Sequence, residues 1–437
     1  MYQIYPRSFQ DSDGDGIGDL RGIERRLDHI VRLGADAIWL SPIYPSPQAD
    51  GGYDVSDFLA VDPAYGTMED LDRLLAAAHV RGLRLLMDLV PCHTSIEHPW
   101  FREHPDWYIW RDGDRPPNNW AAAFGGSAWT RDERTGRWYL HSFYPEQPDL
   151  DWRNPAVVEA FQAIVRFWLD RGVDGFRLDA IDKLIKDDRL RDDPPASGDF
   201  PLPLRPDAAK LERLYSGHRP QTIDALRTIR AAAGDALLVG EVFQPTHEYP
   251  PYLQVLDLVF AFELLFAPWD AARLREAIAP AAELGRVAWV MSNHDFDRLA
   301  TRLGPANARA AAEVLLSLPG AAFVYQGDEI GLPNGPGHEP PYDRAGRDPM
   351  RHPMQWDGSS TGGFTTGNPW LPPIDPAERN VEAQRADPTS LLNEYRRLID
   401  RRRTLGRSFR LLDAEPDVLA FARDGETVSV KTVREPG

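Results

Sequence analysis

The sequence predicts an α/β protein, a parallel (β/α)₈ barrel of the TIM type with a subdomain inserted after the third strand and a short C-terminal β region. Three observations carry this expectation. Eight short apolar runs recur along the 437 residues, stretches of helical periodicity lie between them, and two connections are too long to be simple loops. Runs rich in Val, Ile, Leu and aromatics, without polar alternation, suit strands buried on both faces of a parallel sheet. Eight β/α repeats suggest a closed barrel rather than an open sheet.

The runs are Tyr2–Tyr5, Ala37–Leu40, Leu83–Val90, Val173–Leu178, Leu237–Val242, Leu256–Phe262, Val287–Met291 and Ala321–Tyr325. Helical patterns occupy Met68–His79, Val157–Asp170 and Ala308–Leu318, and a helix near Ser390–Arg403 is expected to close the barrel. Residues 94–155, rich in Trp, Pro, Asn and Gly, read as the inserted subdomain. The barrel then takes 1–93 and 156–403, including a second Pro- and Gly-rich connection at 331–387. Residues 404–437 have room for only a few strands, such as Val418–Phe421 and Thr427–Val430, and read as a partial C-terminal β domain.

Composition narrows the function classes. Hydrophobic residues make up 42% and charged residues 27% of the chain, as in an ordinary soluble protein. The net charge of −18 argues against nucleic acid or an anionic membrane as partner, since both attract basic surfaces. A neutral small molecule is not repelled. No stretch approaches the ~20 apolar residues of a membrane span, and Met1–Asp19 has no apolar run behind a basic head. The single cysteine, Cys92, rules out an intrachain disulfide framework and suits a reducing cytoplasm. Cys92 itself reads as a small buried apolar residue. Oligomeric state is not legible.

Barrel enzymes carry their active sites at the carboxyl ends of the strands. Those ends hold Asp88 and His93 after strand three, Arg177 and Asp179 at strand four, Glu241 at strand five, and Asn293, His294 and Asp295 at strand seven. One such carboxylate is as readily a structural ion pair, but acids at four strand ends are hard to explain as packing. Glycosidic cleavage needs this set, because an oxocarbenium-like state requires one ionised and one protonated carboxyl group. Arg177 lies two residues before Asp179 on the same face of a strand and favours its ionised form. Asp179 is therefore the better nucleophile and Glu241 the better acid/base. His93 and His294 suit hydrogen bonds to sugar hydroxyls, and Asp295 suits a pair of hydroxyls.

The segments Asp88–His93, Gly175-Phe-Arg-Leu-Asp179, Gly240-Glu241-Val242 and Ser292-Asn-His-Asp295 follow one another as do the conserved regions of the α-amylase family of glycoside hydrolases, which the chain resembles over nearly its whole length. Gln147-Pro-Asp-Leu150, Ile4-Tyr-Pro-Arg-Ser-Phe9, Gly52-Tyr-Asp-Val55 and Pro353-Met-Gln-Trp356 resemble its α-glucosidase and oligo-1,6-glucosidase branch. The resemblance implies Asp179 as nucleophile, Glu241 as acid/base and Asp295 as transition-state stabiliser. It implies that Asp88, His93, Arg177 and His294 line the glucose subsite, that Tyr53 stacks on the sugar, and that Asp54 and Arg351 meet and close the pocket behind it. Such a pocket makes an exo-acting enzyme. The family usually has Asn at the position of Cys92, residues before the first strand and a fuller C-terminal β domain.

Asp11-Ser-Asp-Gly-Asp-Gly-Ile-Gly-Asp19 places carboxylates at alternate positions with glycines for a tight turn, like the first part of an EF-hand loop. Gly22 stands where the closing Glu belongs, so a complete EF-hand is not expected. The resemblance implies a structural Ca²⁺ or Mg²⁺ held by Asp11, Asp13, Asp15, the carbonyl of Ile17 and Asp19, with no cofactor for catalysis. The leading function is hydrolysis of terminal α-1,4-linked glucose. A transglucosylase, an oligo-1,6-glucosidase or a sucrose- or trehalose-converting isomerase would use the same machinery. A non-catalytic barrel that binds a partner would be expected to lack the nucleophile or the acid, and both are present.

Overall fold

In the computed structural model, described over residues 1–196 and 210–432, the eight apolar runs form one parallel sheet. Its strands are β1 (Tyr2–Ile4), β2 (Ala37–Leu40), β3 (Arg84–Leu89), β4 (Gly175–Leu178), β5 (Leu237–Gly240), β6 (Leu258–Ala261), β7 (Val287–Trp289) and β8 (Ala321–Ala322 with Val324–Tyr325). β8 is interrupted at Phe323. Its first half pairs with β7 and its second half with β1, so the two ends of the sheet belong to one strand and the sheet closes as a barrel. Strand bounds agree with the sequence reading to within two residues. These strands are buried almost throughout, which is why their sequences show no alternation.

Helices follow the strands in turn: α1 (Leu20–Leu33), α2 (Met68–Val80), α3 (Pro155–Asp170), α4 (Thr222–Ala233), a single turn α5 (Tyr249–Tyr252), α6 (Ala271–Leu284), α7 (Pro305–Ser317) and α8 (Leu391–Thr404). Their starts are written in the sequence. Asp19 caps α1, Thr67 and Asp70 form a capping box on α2, and Asn154 caps α3 with Pro155 at its first position.

The chain divides into two compact units. The first comprises residues Met1–Ser41, Pro63–Leu86 and Phe260–Gly437. It contains a C-terminal antiparallel sheet of Arg410–Leu411, Val418–Arg423 and Glu426–Lys431, with Val418–Arg423 in the middle. The second comprises Pro42–Asp62 and Met87–Val259. Within residues 94–155 it carries its own three-stranded antiparallel sheet, with Trp138–Leu140 between Trp110–Arg111 and Trp129–Arg131. Trp120, Trp129, Leu140, Ile109 and Ala128 form its core, which explains the tryptophan-rich composition of that segment. Residues 433–437 of the expected C-terminal region, and 197–209 of the second barrel segment, lie outside the described residues. No described helix is long and apolar enough to cross a membrane.

Candidate active site

In the second unit, the period-two geometry of β4 turns Phe176 and Leu178 one way and Arg177 and Asp179 the other. Gly175 and Gly240 allow this part of the sheet to pack. A Cβ on Gly175 would fall 2.2 Å from the Leu237 carbonyl oxygen, and one on Gly240 would fall 2.4 Å from Leu256 Cδ1. The Arg177 guanidinium gathers three carboxylates. Its Nη1 donates to Asp88 Oδ1 at 2.7 Å and to Asp179 Oδ1 at 2.6 Å, and its Nη2 lies 2.6 Å from Glu241 Oε1. The other oxygen of Glu241 accepts from the Ala180 N–H at 3.1 Å. Ala180 adopts a left-handed backbone, φ 46° and ψ 38°, which is uncommon for a non-glycine residue and is found here directly after Asp179. Tyr53 donates its hydroxyl to Asp88 Oδ2 at 3.0 Å, and the Arg177 guanidinium lies 5.6 Å from its ring centre.

Three acids around one buried cation set the protonation of the cluster. Burial pushes the Asp88 carboxyl up to about 6, against the opposing pull of Arg177, and the neighbouring Glu241 adds to the rise. Burial disfavours the Arg177 cation, but Asp88, Glu241, Tyr53 and Asp179 outweigh it and hold its pKa well above the ordinary range. Arg177 is therefore a permanent positive charge at the centre of the group.

His93 is buried, and its Nε2 lies 3.1 Å from the Tyr53 carbonyl and 2.9 Å from the Gln147 amide nitrogen. Burial lowers its pKa, so it is neutral. The Tyr53 carbonyl can only accept and the Gln147 NH₂ can only donate, so the two contacts ask for opposite roles at Nε2, and the buried Nδ1 has no hydrogen-bond partner among the described residues. The Gln147 amide nitrogen also donates to Asp50 Oδ2 at 2.8 Å. Asp50 was not singled out in the sequence. The buried Asp54 carboxylate, expected at the sugar pocket, accepts from Ser46 Oγ at 2.8 Å and from the N–H groups of Ala49 at 2.8 Å and Asp50 at 3.0 Å. It closes its own turn.

In the first unit, Asn293 Oδ1 accepts from the N–H groups of Asp295 and Phe296, making a tight turn immediately after β7. Asp295 Oδ1 accepts from Arg347 Nη1 at 2.9 Å and Arg351 Nη2 at 3.2 Å, and Oδ2 lies 3.3 Å from His294 Nε2. Arg351 Nε also donates to the His294 carbonyl at 3.0 Å. Arg347, unmarked in the sequence, is held in turn by Asp343 through a two-nitrogen contact at 2.9 and 2.6 Å. Burial opposes ionisation of Asp343, but Arg347 and Arg351 bring its pKa down to about 2. Asp343 and Arg347 lie in the Pro- and Gly-rich connection at 331–387, where no periodicity singles out a residue.

Cys92 is fully buried, with its sulfur 3.8 Å from Lys186 Nζ and 3.9 Å from Asp149 Oδ1. Burial pushes its thiol up to about 12, which fits an inert packing residue. The Lys186 ammonium, 2.6 Å from Asp149 Oδ2, supplies the positive charge there.

The Asp11–Asp19 loop splits the expected ligand set. Carboxylate oxygens of Asp11, Asp13 and Asp15 converge within 4.8 Å of one another. Asp15 is pushed up by burial, and further by the charges of Asp13, Asp11 and Asp19, against the Ile17 N–H that donates to it. Asp19 stands outside the trio. One of its oxygens caps α1 through the Gly22 N–H at 2.7 Å, and the other accepts from the Ser12 N–H at 2.6 Å. The trio fits a hard cation, and Asp19 is primarily a helix cap.

Comparison with known proteins matches residues 3–407 to the family model described as alpha amylase, catalytic domain. A probable alpha-glucosidase of Rhizobium meliloti (strain 1021) is 42% identical over 91% of this chain and 81% of its own. An oligo-1,6-glucosidase of Parageobacillus thermoglucosidasius is 37% identical over 97% of this chain and 87% of its own. The solved structure of an alpha-glucosyl transfer enzyme, XgtA, superposes with a TM-score of 0.92 at 39% identity, covering 98% of this chain and 89% of that one.

Proposed function

The chain belongs to the α-amylase catalytic-domain family of glycoside hydrolases and acts on α-glucosides, and on that premise we propose that it is a retaining, exo-acting α-glucosidase releasing terminal α-1,4-linked glucose from maltose and short oligosaccharides. The observation that carries the reading is the single Arg177 guanidinium shared by Asp179 and Glu241. Two carboxyl groups on one guanidinium support the short separation of about 5–5.5 Å that double displacement needs, rather than the inverting gap of about 6.5–9.5 Å.

Asp179 attacks the anomeric carbon and Glu241 protonates the leaving oxygen, forming a glucosyl ester on Asp179. Glu241 then takes a proton from water, which attacks the ester and frees glucose with its anomeric configuration kept. Asp295 binds two sugar hydroxyls and resists loss of the distorted ring. His93 hydrogen-bonds a third hydroxyl, and Tyr53 presents its ring face. Asp50, beside the His93–Gln147 contact, is a better candidate than Asp54 for holding the far end of the sugar.

Ala180 decides the linkage in this reading. A small side chain after the nucleophile leaves space for an α-1,4-linked second sugar, whereas a β-branched one narrows it. Product analysis on maltose, isomaltose, sucrose and trehalose tests this. Maltose is expected to be the best substrate, and Ala180→Val to move the preference toward isomaltose by about tenfold, a methylene-scale discrimination. Because Ala180 has a left-handed backbone and its N–H holds Glu241, the same change should also lower turnover on every substrate. A parent enzyme that prefers isomaltose tenfold would overturn the linkage assignment. Glucosyl transfer is the second reading, favoured by the likeness to the transfer enzyme. Transfer products accumulating faster than free glucose at high substrate would support it.

We also propose one structural divalent cation, Ca²⁺ or Mg²⁺, on Asp11, Asp13 and Asp15, with the Ile17 carbonyl completing the set and Asp19 in support. Chelation is expected to lower the thermal midpoint more than it lowers activity at moderate temperature. An unchanged midpoint after exhaustive chelation, with no metal by elemental analysis, would reduce the loop to an acidic turn. A cytoplasmic location remains part of the proposal, on the strength of the single buried cysteine.

A further inference from the structure

We propose that Gln3 is a positioning residue for the glucoside reaction, acting from β1 to fix the tautomer of His294 so that its Nε2–H faces Asp295 and the bound sugar. This rests on the reading of His294 and Asp295 as sugar-binding groups.

Gln3 is a fully polar residue in a strand of the barrel core, only 1% exposed, and His294 is completely buried. The Gln3 amide nitrogen lies 2.8 Å from His294 Nδ1, with Ser41 Oγ at 3.4 Å as its other neighbour. A neutral imidazole has one donor and one acceptor nitrogen, and either tautomer is available to a free ring. The second contact decides between them. Asp295 Oδ2 stands 3.3 Å from Nε2, and a carboxylate that already accepts from Arg347 and Arg351 can only accept again. The proton is therefore on Nε2, the lone pair is on Nδ1, and the Gln3 amide must present its NH₂ to it. The reverse arrangement, with the Gln3 carbonyl taking a proton from Nδ1, would set the Nε2 lone pair against a carboxylate.

The ring has little other freedom. Tyr5 stacks on it at 5.7 Å and 21°, and Trp39 meets it edge-on at 6.0 Å and 80°. The flanking charges are Asp295 and, through the His294 carbonyl and the Tyr5 ring, Arg351. With the ring clamped, the remaining variable is which nitrogen carries the proton. Gln3 controls it from the side away from Asp295. Such supporting contacts hold a functional imidazole as a donor of fixed direction.

The test uses the full chain with ¹⁵N-labelled histidine and long-range ¹H–¹⁵N correlation, the His294 signals being identified by their loss in His294→Asn. In the parent protein the proton is expected on Nε2. Gln3→Glu, nearly isosteric, should place a proton on Nδ1, and Gln3→Met should leave a mixture of tautomers. Both variants should lower kcat by about tenfold to a hundredfold, taking the scale known for the supporting partners of metal-bound histidines, with a smaller change in KM. A Gln3→Glu protein in which His294 keeps its proton on Nε2 alone would overturn the proposal, whatever its activity. So would a changed tautomer with unchanged kcat. If instead Asp179→Ala retained full turnover, the reading of the active site would fail while the tautomer result stood.

Discussion

Asp179→Ala is expected to lower turnover of an α-glucoside by about 10⁴-fold or more, and Glu241→Gln by about 10²–10⁴-fold, with the fold intact in both. The two changes differ in kind. Removing Asp179 removes the group on which the covalent intermediate forms, so neither half of the reaction is left. Glu241→Gln keeps the shape but has one acceptor oxygen where Glu241 uses two, toward Arg177 Nη2 and the Ala180 N–H, and it cannot deliver a proton. Its loss should be smallest for substrates whose leaving group needs no proton, such as an aryl glucoside with an acidic phenol. Steady-state rates on maltose and on such an aryl glucoside check both points. Near-native activity in either purified variant would remove that residue from the mechanism.

Arg177→Met is expected to give the largest loss of stability of any single substitution at the site. Arg177 is 1% exposed and its guanidinium contacts Asp88, Asp179 and Glu241, so its removal leaves three buried carboxyl groups without their cation. Breaking a buried pair by removing one partner costs about 3–5 kcal/mol, a large share of the 5–15 kcal/mol typical of a folded domain. The deficit should depend on pH, with a definite sign. Without Arg177 the three carboxyl groups have folded-state pKa values above their unfolded ones, so the folded state binds more protons. Stability is then gained as pH falls and lost as pH rises through those values. Asp88, already pushed up to about 6 by burial with Arg177 in place, shows the direction. Denaturant midpoints of parent and variant at pH 7 and pH 5 should converge toward the lower pH. A deficit that widened on acidification would contradict this account of the cluster.

Much of the fold was legible because burial on both faces leaves its mark as unbroken apolar runs, whereas the caps Asp19, Thr67 and Asn154 went unread. The strand-end residues Asp88, Arg177, Asp179, Glu241 and Asp295 were legible because a barrel has one chemically useful end of each strand. What was not legible depends on local turns. Asp50 and Asp54 flank Tyr53, and nothing in the string Asp-Gly-Gly-Tyr-Asp says that the second acid will be consumed by the N–H groups of residues 49 and 50. Arg347 and Asp343 sit in an irregular connection whose path no periodicity sets. The left-handed backbone of Ala180 carries no glycine to mark it. Gln3 did leave a signal, a polar side chain inside a core strand, which asks for a buried partner but does not name His294.

The central claim, retention through a covalent glucosyl-Asp179 intermediate, is tested most directly by following the anomeric protons of glucose by ¹H NMR in the first minutes of hydrolysis, before mutarotation. A substrate whose released glucose comes only from the non-reducing end, such as a simple alkyl α-glucoside, keeps the measurement unambiguous. The account expects α-glucose first, with the β-anomer appearing only at the rate of mutarotation. β-Glucose as the first product would mean a single displacement by water, and Asp179 would then be no nucleophile.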